Sequence, residues 1–219
     1  MKNIILIAPP AAGKGTQCAL LKEKYGYVHI STGDLLRAID PTSELGKKVN
    51  EIMNAGALVG DDIIFELIEE RLSHPDVKNG FVLDGFPRNI NQAKTYMQLC
   101  KKLNIDMGIA IYISISKEMA MQRALGRLGC PICNKPYHKF NPQAMPKTSG
   151  ICDECGVELI SRDDDNEETF TTRFNTYINN TQPLIDFFQG LNSLTTIMAH
   201  DDKMVVMEEI ERVINDGED

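Results

Sequence analysis

The stretch Ala8-Pro9-Pro10-Ala11-Ala12-Gly13-Lys14-Gly15-Thr16 decides the fold. It follows the apolar run Ile4-Ile5-Leu6-Ile7, which predicts a buried strand, and it opens a segment with helical spacing. A strand, a tight loop and a helix start in this order are the context that a phosphate-binding loop requires. The first turn of a helix presents unpaired backbone N–H groups that attract anions, and Lys14 adds a positive charge. The stretch therefore predicts a phosphate site, with a plain strand–helix turn as the alternative.

The bulk composition argues against several classes of protein. The chain has 219 residues, enough for one large domain or a core with inserts, and it carries 31 acidic against 23 basic residues. A net charge of −8 argues against a general nucleic-acid binder, which needs a basic face. No apolar run approaches the roughly 20 residues that span a bilayer, and the first residues lack the pattern of a signal peptide. We therefore expect a cytoplasmic protein without membrane or nucleic-acid partners.

Short apolar runs alternate with segments of helical spacing along most of the chain. Strands are predicted at residues 4–7, 28–30, 81–83, 109–113 and 194–198, and helices at 13–25, 31–37, 42–55, from 61, 90–103, 117–128, 164–188 and 204–214. We expect the long helix at 164–188 to begin on the acidic run Asp163-Asp164-Asp165 and to bend near Pro183. This alternation predicts an α/β fold in which helices cover both faces of a five-stranded parallel sheet.

Four cysteines form two Cys-x₂-Cys pairs, Cys130-Pro131-Ile132-Cys133 and Cys152-Asp153-Glu154-Cys155. Their separation is typical of a tetrahedral zinc site; disulfides or free thiols are the alternatives, and disulfides are rare in the cytosol. Four thiolates would leave no position for water or substrate, so such a zinc ion would be structural. The segment 129–161 lacks helical periodicity and needs a staple of this kind. The remaining cysteines, Cys18 and Cys100, fall in predicted helices, and we interpret them as buried small residues.

Arginines from scattered segments predict a site for phosphoryl transfer, in which positioning and charge stabilisation do most of the catalysis. They are Arg37, Arg88, Arg123, Arg127, Arg162 and Arg173. Arg88 is the most informative, because Asp84-Gly85-Phe86-Pro87-Arg88 follows the end of a predicted strand, where open α/β sheets bind ligands. Asp84 could organise Mg²⁺ through water, or it could simply cap the loop. Taken singly, each arginine is better explained as a residue of a solvated surface.

Together these segments resemble the adenylate kinases of the long-lid, zinc-bearing bacterial type, over essentially the whole chain. The resemblance rests on Gly13-Lys14-Gly15-Thr16-Gln17, Ser31-Thr32-Gly33-Asp34-Leu35-Leu36-Arg37, Asp84-Gly85-Phe86-Pro87-Arg88 with Gln92, Gly126-Arg127, both cysteine pairs, Arg162-Asp163-Asp164, Glu167-Glu168-Thr169 and Arg173. It implies the P-loop nucleoside monophosphate kinase fold. It also implies reversible, Mg²⁺-dependent transfer of the γ-phosphoryl group of ATP to AMP, giving two ADP, in adenine nucleotide homeostasis.

The resemblance divides the chain into a core and two inserts. Residues 1–30, 61–125 and 164–219 would form the core, residues 31–60 a helical AMP-binding insert, and residues 126–163 a zinc-stapled lid. A lid that closes over ATP expels water, which would otherwise hydrolyse the activated γ-phosphoryl group. Nothing in the sequence demands an interface, so we expect a monomer.

The resemblance also assigns roles to individual residues. ATP would contact Ala11, Ala12, Gly13, Lys14, Gly15, Thr16, Arg123, Arg127, Pro136, Tyr137 and Lys203. AMP would contact Thr32, Arg37, Ala57, Leu58, Val59, Gly85, Phe86, Pro87, Arg88, Gln92, Arg162 and Arg173. Catalysis would rest on Lys14, Asp84, Arg88, Arg127, Arg162 and Arg173. Within these sets Gln92 would read the AMP adenine, Arg123 would cover the ATP base, and Asp84 with Asp34 would order hydrated Mg²⁺. His138 matches a lid segment over the nucleotide, with a surface histidine as the alternative.

Several positions depart from the expected patterns. Ala8 and Ala11 replace loop glycines of the family, Gly15 occupies the usual Ser/Thr position of the general phosphate loop, and Cys155 stands where relatives can carry aspartate. We hypothesise that both alanines adopt right-handed or extended backbone dihedrals. Two alternative functions remain at this point: a nucleoside monophosphate kinase with another acceptor, such as UMP or CMP, and a nucleotide-binding zinc module without turnover.

Overall fold

The computed structural model describes residues 1–162 and 164–215, and its central element is a parallel sheet. The strands are β1 Ile4–Ile7, β2 Val28–Ser31, β3 Phe81–Asp84, β4 Ile109–Ser114, β5 Arg127–Gly129, β6 Pro136–His138 and β7 Leu194–Met198. Five of them form the sheet in the order β2-β3-β1-β4-β7, and every neighbouring pair runs parallel. The chain thus crosses from β1 to both sides, which creates a crevice at the carboxyl end of β1.

Helices connect the strands and cover both faces of the sheet. They are α1 Lys14–Tyr25, α2 Thr32–Arg37, α3 Glu44–Asn54, α4 Asp61–Leu72, α5 Ile90–Leu103, α6 Lys117–Gly126, α7 Glu167–Thr176, α8 Pro183–Gly190 and α9 Lys203–Asn215. The side chains of Ser31, Ser43, Asn89, Ser116 and Asn166 each accept a hydrogen bond from a backbone N–H of the following first turn. These caps satisfy donors that the helix itself leaves unpaired, so they fix where each helix begins.

Alternate residues of the strands point into two hydrophobic cores, one on each face. Ile5 and Ile7 pack with the core under α2, α3, α4, α5 and α8, whereas Ile4 and Leu6 pack with the core under α1 and α9. Burial on both faces explains why the strands are almost continuously apolar. The predicted fold class is confirmed.

Two predicted helices differ from the observed ones. The helix predicted at 117–128 ends at Gly126, because the next residues pair with β6 in a small antiparallel sheet. The helix predicted from 164 begins only at Glu167, after the Asn166 cap, so the expectation that the acidic run starts it is wrong. Asp163 of that run lies outside the described residues, as does the end of the predicted core at 216–219.

The long helix is interrupted where a proline was expected to disturb it. Residues Tyr177–Thr181 form a π-helical turn, in which Gln182 N–H donates to the Tyr177 carbonyl at 2.9 Å, and α8 restarts at Pro183. Proline has no N–H to continue the ladder, and its ring crowds the preceding turn. Among the described residues, none of the helices combines the length and the apolar character needed to cross a membrane.

Candidate functional site

The phosphate-binding loop closes tightly before α1. Gly13 at the helix N-cap has φ of 101°, and its carbonyl accepts from Thr16 N–H at 3.0 Å. The Lys14 Nζ donates to the carbonyls of Ala8 at 3.0 Å and Pro9 at 3.3 Å, so the ammonium group lies across the loop. The first N–H groups of α1 have no acceptor within the helix. The loop therefore presents backbone donors and a cation to the same space.

The two alanines of the loop behave differently. Ala8 is buried in the core under α1 and has no positive φ, whereas Ala11 has φ of 60°. The hypothesis of right-handed or extended dihedrals is therefore correct for Ala8 and wrong for Ala11. The left-handed conformation costs an alanine about 1–2 kcal/mol, because its Cβ crowds the following carbonyl. The Ala11 side chain packs against the apolar cluster of α6 and α7, which offsets part of that cost.

Cations from three separate segments converge beside the loop. Burial lowers the pKa of Lys14, Asp84 opposes this, and the nearby positive charges of Arg88 and Arg173 lower it further. Burial likewise lowers the pKa of Arg88, and Arg173 and Arg37 add to the effect while Asp84 opposes it. Like charges are held together here at an electrostatic cost that an anionic ligand would remove. A multiply charged anion would relieve the repulsion within this cluster.

Several site arginines are paired with carboxylates. Arg127 Nε donates to Asp165 Oδ2 at 2.7 Å, and Arg173 Nη1 lies 2.5 Å from Asp164 Oδ2. Asp164 and Asp165 are the acids that the sequence wrongly assigned to a helix start, and the Asp165 side chain is only 1% exposed. These carboxylates orient the guanidinium groups, so they are site residues that sequence reasoning missed.

A third group of cations lies near the edge of the cluster. Arg37 pairs with Asp34 at 2.5 Å within α2. Arg162 lies at the end of the segment predicted as a lid, and burial lowers its pKa, with the positive charges of Arg127 and Arg37 adding to the effect. The structure therefore brings together five of the six predicted arginines, from α2, the β3–α5 loop, β5, the end of the lid segment and α7.

The loop after β3 forms a second pocket wall. Gly85 has φ of 78°, and its carbonyl accepts from Thr32 Oγ1 at 2.9 Å and from Arg88 Nε at 2.8 Å. A Cβ atom on Gly85 would lie 2.8 Å from Thr32 Oγ1 and 3.0 Å from Arg88 Nη2. Glycine is required here both by the backbone conformation and by the close approach of these two side chains.

The Gln92 amide is held in a buried network. Its oxygen accepts from Arg88 N–H at 2.7 Å, and its Nε2 donates to Asp61 Oδ1 at 2.7 Å. Burial raises the pKa of Asp61, but hydrogen bonds from Asn91, Gln92 and Asn89 outweigh it, so the net pKa is lowered. Sequence reasoning treated Asp61 only as a helix start, and no local pattern signals its role. Reading of a base by Gln92 requires an exchange of these bonds.

The predicted insert meets α7 at its tip. Gly56, with φ of 73°, ends α3, and its carbonyl accepts from Thr176 Oγ1 at 3.5 Å. A Cβ atom on Gly56 would lie 2.9 Å from Arg173 Cγ. The segment 57–59 follows directly, with Val59 buried in the core. The predicted insert therefore contacts α7 at Gly56, next to Arg173.

On the other side of the phosphate-binding loop, residues of α1 and α6 contact the start of α9. Gln17 is buried, and its Nε2 donates to the Lys203 carbonyl at 3.0 Å. Arg123 of α6 pairs with Asp201 at 2.9 Å just before α9. The structure thus places Arg123 near α9, on the side away from Gly85, and Lys203 beside α1.

The lid segment has a core of its own. Tyr137 is buried with Leu128, Cys130, Cys152 and Leu159, and its hydroxyl lies 3.6 Å from the Cys152 Sγ. The Tyr137 ring therefore belongs to the core of this segment, whereas the neighbouring Pro136 is exposed. His138 is partly buried, and its Nδ1 accepts from the N–H groups of Phe140 and Asn141 at 3.1 and 3.0 Å.

The four lid cysteines lie close enough together to hold a metal ion. Their sulfur atoms are within 4.8 Å of one another, and those of Cys133 and Cys152 are 3.7 Å apart. Two sulfurs on a tetrahedral zinc ion lie about 3.8 Å apart, because the Zn–S distance is about 2.3 Å. All four are free thiols, so the disulfide alternative is wrong. The residues present therefore fit the group that the spacing predicts.

The thiols compete for negative charge when no cation is present. Burial raises the pKa of Cys152, but the backbone N–H groups of Cys155 and Glu154 and the Tyr137 hydroxyl lower it to about 6. A hydrogen bond with Cys133 raises the pKa of Cys155 to about 12. The pKa of one thiol is thus low while that of its neighbour is high, so the four cysteines do not ionise together. A bound dication would stabilise the thiolate form of all four.

The chain is similar to known adenylate kinases over most of its length. The model of the family described as "Adenylate kinase" matches residues 6–193. The adenylate kinase of Thermosipho melanesiensis is 42% identical over 213 residues, covering 97% of this chain and 99% of that protein. Those of Oceanobacillus iheyensis and Clostridioides difficile are 44% and 42% identical, and each comparison covers at least 97% of both chains.

Proposed function

This chain belongs to the adenylate kinase family, and we infer from its site how the residues divide the work between two nucleotides. The protein is a phosphotransferase that moves the γ-phosphoryl group of ATP to AMP, giving two ADP. The observation that carries the assignment of roles is that Lys14, Arg88 and Arg173, from three separate segments, lie close enough together for their positive charges to interact. A kinase with UMP or CMP as acceptor, and a zinc module without turnover, are not favoured.

We propose that ATP binds on the α1 side of the crevice. The loop N–H groups and Lys14 would hold its phosphates, Arg123 would cover the base, and the Lys203 backbone would border the adenine. The hydrogen bond from Gln17 to the Lys203 carbonyl supports this, because it holds the Lys203 backbone, which would border the adenine, against helix α1, whose N-terminus would hold the phosphates. The full set is Ala11, Ala12, Gly13, Lys14, Gly15, Thr16, Arg123, Arg127, Pro136, Tyr137 and Lys203.

AMP would bind on the β3 side. Arg88 and Arg37 would meet its phosphate, and Gln92 would turn from Asp61 to the adenine. The unusual conformation of Gly85 supports this pocket, because it leaves room for the Arg88 guanidinium to lie against the loop. The full set is Thr32, Arg37, Ala57, Leu58, Val59, Gly85, Phe86, Pro87, Arg88, Gln92, Arg162 and Arg173.

Charge stabilisation would supply the catalysis. A magnesium ion bound with ATP neutralises phosphate charge, and Asp84 and Asp34 would hold its water molecules. Contact with His29 and the charges of Lys14 and Arg88 outweigh the effect of burial and lower the pKa of Asp84, so its carboxylate stays ionised. Lys14, Arg88, Arg127, Arg162 and Arg173 would then surround the transferring group and exclude water.

The inserts would have separate tasks. Residues 126–163 would form a lid stapled by zinc on Cys130, Cys133, Cys152 and Cys155, and residues 31–60 a clamp for AMP around the core of 1–30, 61–125 and 164–219. Thiolate ligation of zinc requires reduced cysteines, which supports a cytoplasmic location. We propose that the enzyme acts as a monomer, since both nucleotide sites are built from one chain.

A coupled assay tests this division of roles. With Mg²⁺ and ATP, the chain should phosphorylate AMP well above UMP, CMP and GMP. Arg88→Lys should lower turnover about 100-fold or more, because lysine cannot reproduce the bidentate contact of arginine with phosphate. Arg71→Lys is the matched control, since Arg71 pairs with Asp76 on the surface. Equal rates for Arg88→Lys and the control would refute the role of Arg88. Metal analysis of the same preparation should find zinc bound without its addition.

A further inference from the structure

A second group of side chains that could hold a metal ion lies between α1 and the sheet. Cys18 of α1, His29 of β2 and Asp84 of β3 place one ligand atom each within 4.8 Å of one another. The strand register explains the grouping: His29 pairs with Val82, so His29 and Asp84 lie on the same face of the sheet. Helix α1 covers that face, and Cys18 points into it with 0% exposure.

The cluster contains an atom that lacks a satisfactory partner. His29 Nε2 is buried and lies 3.4 Å from Asp84 Oδ2, but it makes no aligned hydrogen bond with the described residues. Buried polar atoms are nearly always well hydrogen-bonded, so an imidazole nitrogen that meets a carboxylate without an aligned hydrogen bond, beside a thiol, needs an explanation. Simple packing accounts for Cys18 as a small core residue, but it does not account for the orientation of His29.

We propose that Cys18, His29 and Asp84 form a second metal site, separate from the lid cysteines, that binds a thiophilic divalent cation such as Zn²⁺ and inhibits the enzyme. Sulfur, imidazole nitrogen and carboxylate oxygen are the three ligand types that zinc accepts. Three protein ligands leave one position for water. Binding releases the Cys18 thiol proton to solvent as the sulfur–metal bond forms. The ligand atoms need to move together by about 1 Å from their present separations, given zinc–ligand distances of about 2.0–2.3 Å.

The position of this site explains inhibition. Asp84 is the carboxylate that the proposed function assigns to the water shell of Mg²⁺, and a bound zinc ion would withdraw it from that role. The inhibitory part of the proposal therefore rests on the proposed function. Lys14 feels the charges of both Asp84 and Cys18, so a dication between them would also repel the Lys14 ammonium group. One ion would then disturb two components of the phosphate site.

Zinc titration of matched variants tests the site. The protein, with one zinc per chain in its lid, is dialysed against buffered free Zn²⁺, and bound zinc is counted while activity is measured with Mg²⁺-ATP and AMP. Cys18→Ala removes a ligand, and Cys18→Ser serves if that variant fails to fold. Cys100→Ala is the control, because Cys100 is an equally buried cysteine in the other core. Zinc captured by ATP affects all variants alike.

The wild type and Cys100→Ala should bind a second zinc ion and lose activity as it binds. In Cys18→Ala or Cys18→Ser the second ion should be lost, and the half-inhibitory zinc concentration should rise at least about tenfold, since even indirect ligand partners contribute 10–100-fold to metal affinity. A wild type that binds one zinc only, or inhibition that Cys18 variants leave unchanged, would overturn the proposal. Zinc counting is independent of turnover, so these results are distinguishable from a failure of the proposed function.

Discussion

Replacing Ala11 with glycine should stabilise the protein, although most substitutions in a loop of this kind destabilise. Ala11 has φ of 60°, which costs an alanine about 1–2 kcal/mol that glycine does not incur. Glycine loses about 0.5–1 kcal/mol more backbone entropy on folding. The Ala11 methyl group also loses its contact with the α6–α7 cluster. The expected net gain is therefore about 0.5 kcal/mol, or a melting temperature higher by about 1–2 °C for a chain of this size.

Ala8→Gly is the matched control, and the sign of its effect should be opposite. Ala8 is buried and has no positive φ, so glycine relieves no strain there. The variant loses about 0.8 kcal/mol from the methyl group and about 0.5–1 kcal/mol from backbone entropy. Its melting temperature should fall by about 3–6 °C.

Thermal and urea unfolding of both variants, each with its lid zinc retained, measure the difference. The reasoning is refuted if Ala11→Gly lowers stability as much as Ala8→Gly, because the left-handed conformation would then carry no cost. Activity with AMP and ATP should survive in Ala11→Gly, since its loop keeps the same backbone path.

Three further predictions concern other parts of the site. Gly85→Ala should raise the KM for AMP roughly tenfold or more while the KM for ATP stays nearly constant, because the new Cβ atom displaces Thr32 and Arg88. The control Gly190→Ala, whose Cβ atom meets open space, should leave both KM values unchanged. Asp165→Asn should destabilise the fold by on the order of 3 kcal/mol in urea unfolding, because it leaves Arg127 without its buried partner. The control Asp201→Asn, at a carboxylate that is 72% exposed, should cost less than about 1 kcal/mol. Equal losses of stability in the two variants would contradict the argument from burial. The pKa of Asp61 in the folded state is lowered from 3.8, so the stabilisation from its hydrogen bonds is present above that pH and is lost as the pH falls through the folded-state value. Asp61→Asn should therefore reduce the fall in unfolding free energy below about pH 4. If that fall is the same in the variant, the hydrogen bonds of Asp61 are not its source.

The paired carboxylates give the site a defined state before nucleotide binds. Asp164 pairs with Arg173, and Asp165 pairs with Arg127. Such partners limit the cost of keeping several guanidinium groups together in a partly buried place. Under the proposed function, a phosphate would exchange one set of charge-assisted bonds for another, so the arginines would need little rearrangement.

Local sequence patterns determined most of the architecture. The apolar runs predicted all five strands of the main sheet, because a strand buried on both faces must be almost entirely apolar. The spacing of the cysteine pairs predicted which four sulfurs meet, because each pair forms one short turn around a shared centre. The Gly-Lys-Gly-Thr stretch between strand and helix predicted the phosphate loop for a similar reason, since its context is contained in neighbouring residues.

Tertiary structure alone decided the opening loop and the partners of the charged residues. The dihedral angles of Ala11 follow from closing the loop between β1 and α1, and an alanine by itself disfavours them. The acids after Arg162 look like a helix start because carboxylates suit a helix N-terminus, but the arginines of β5 and α7 attract them more strongly. Cys18, His29 and Asp84 meet only because β2 lies beside β3 under α1. Contacts of this kind depend on strand order, which no local pattern in the chain encodes.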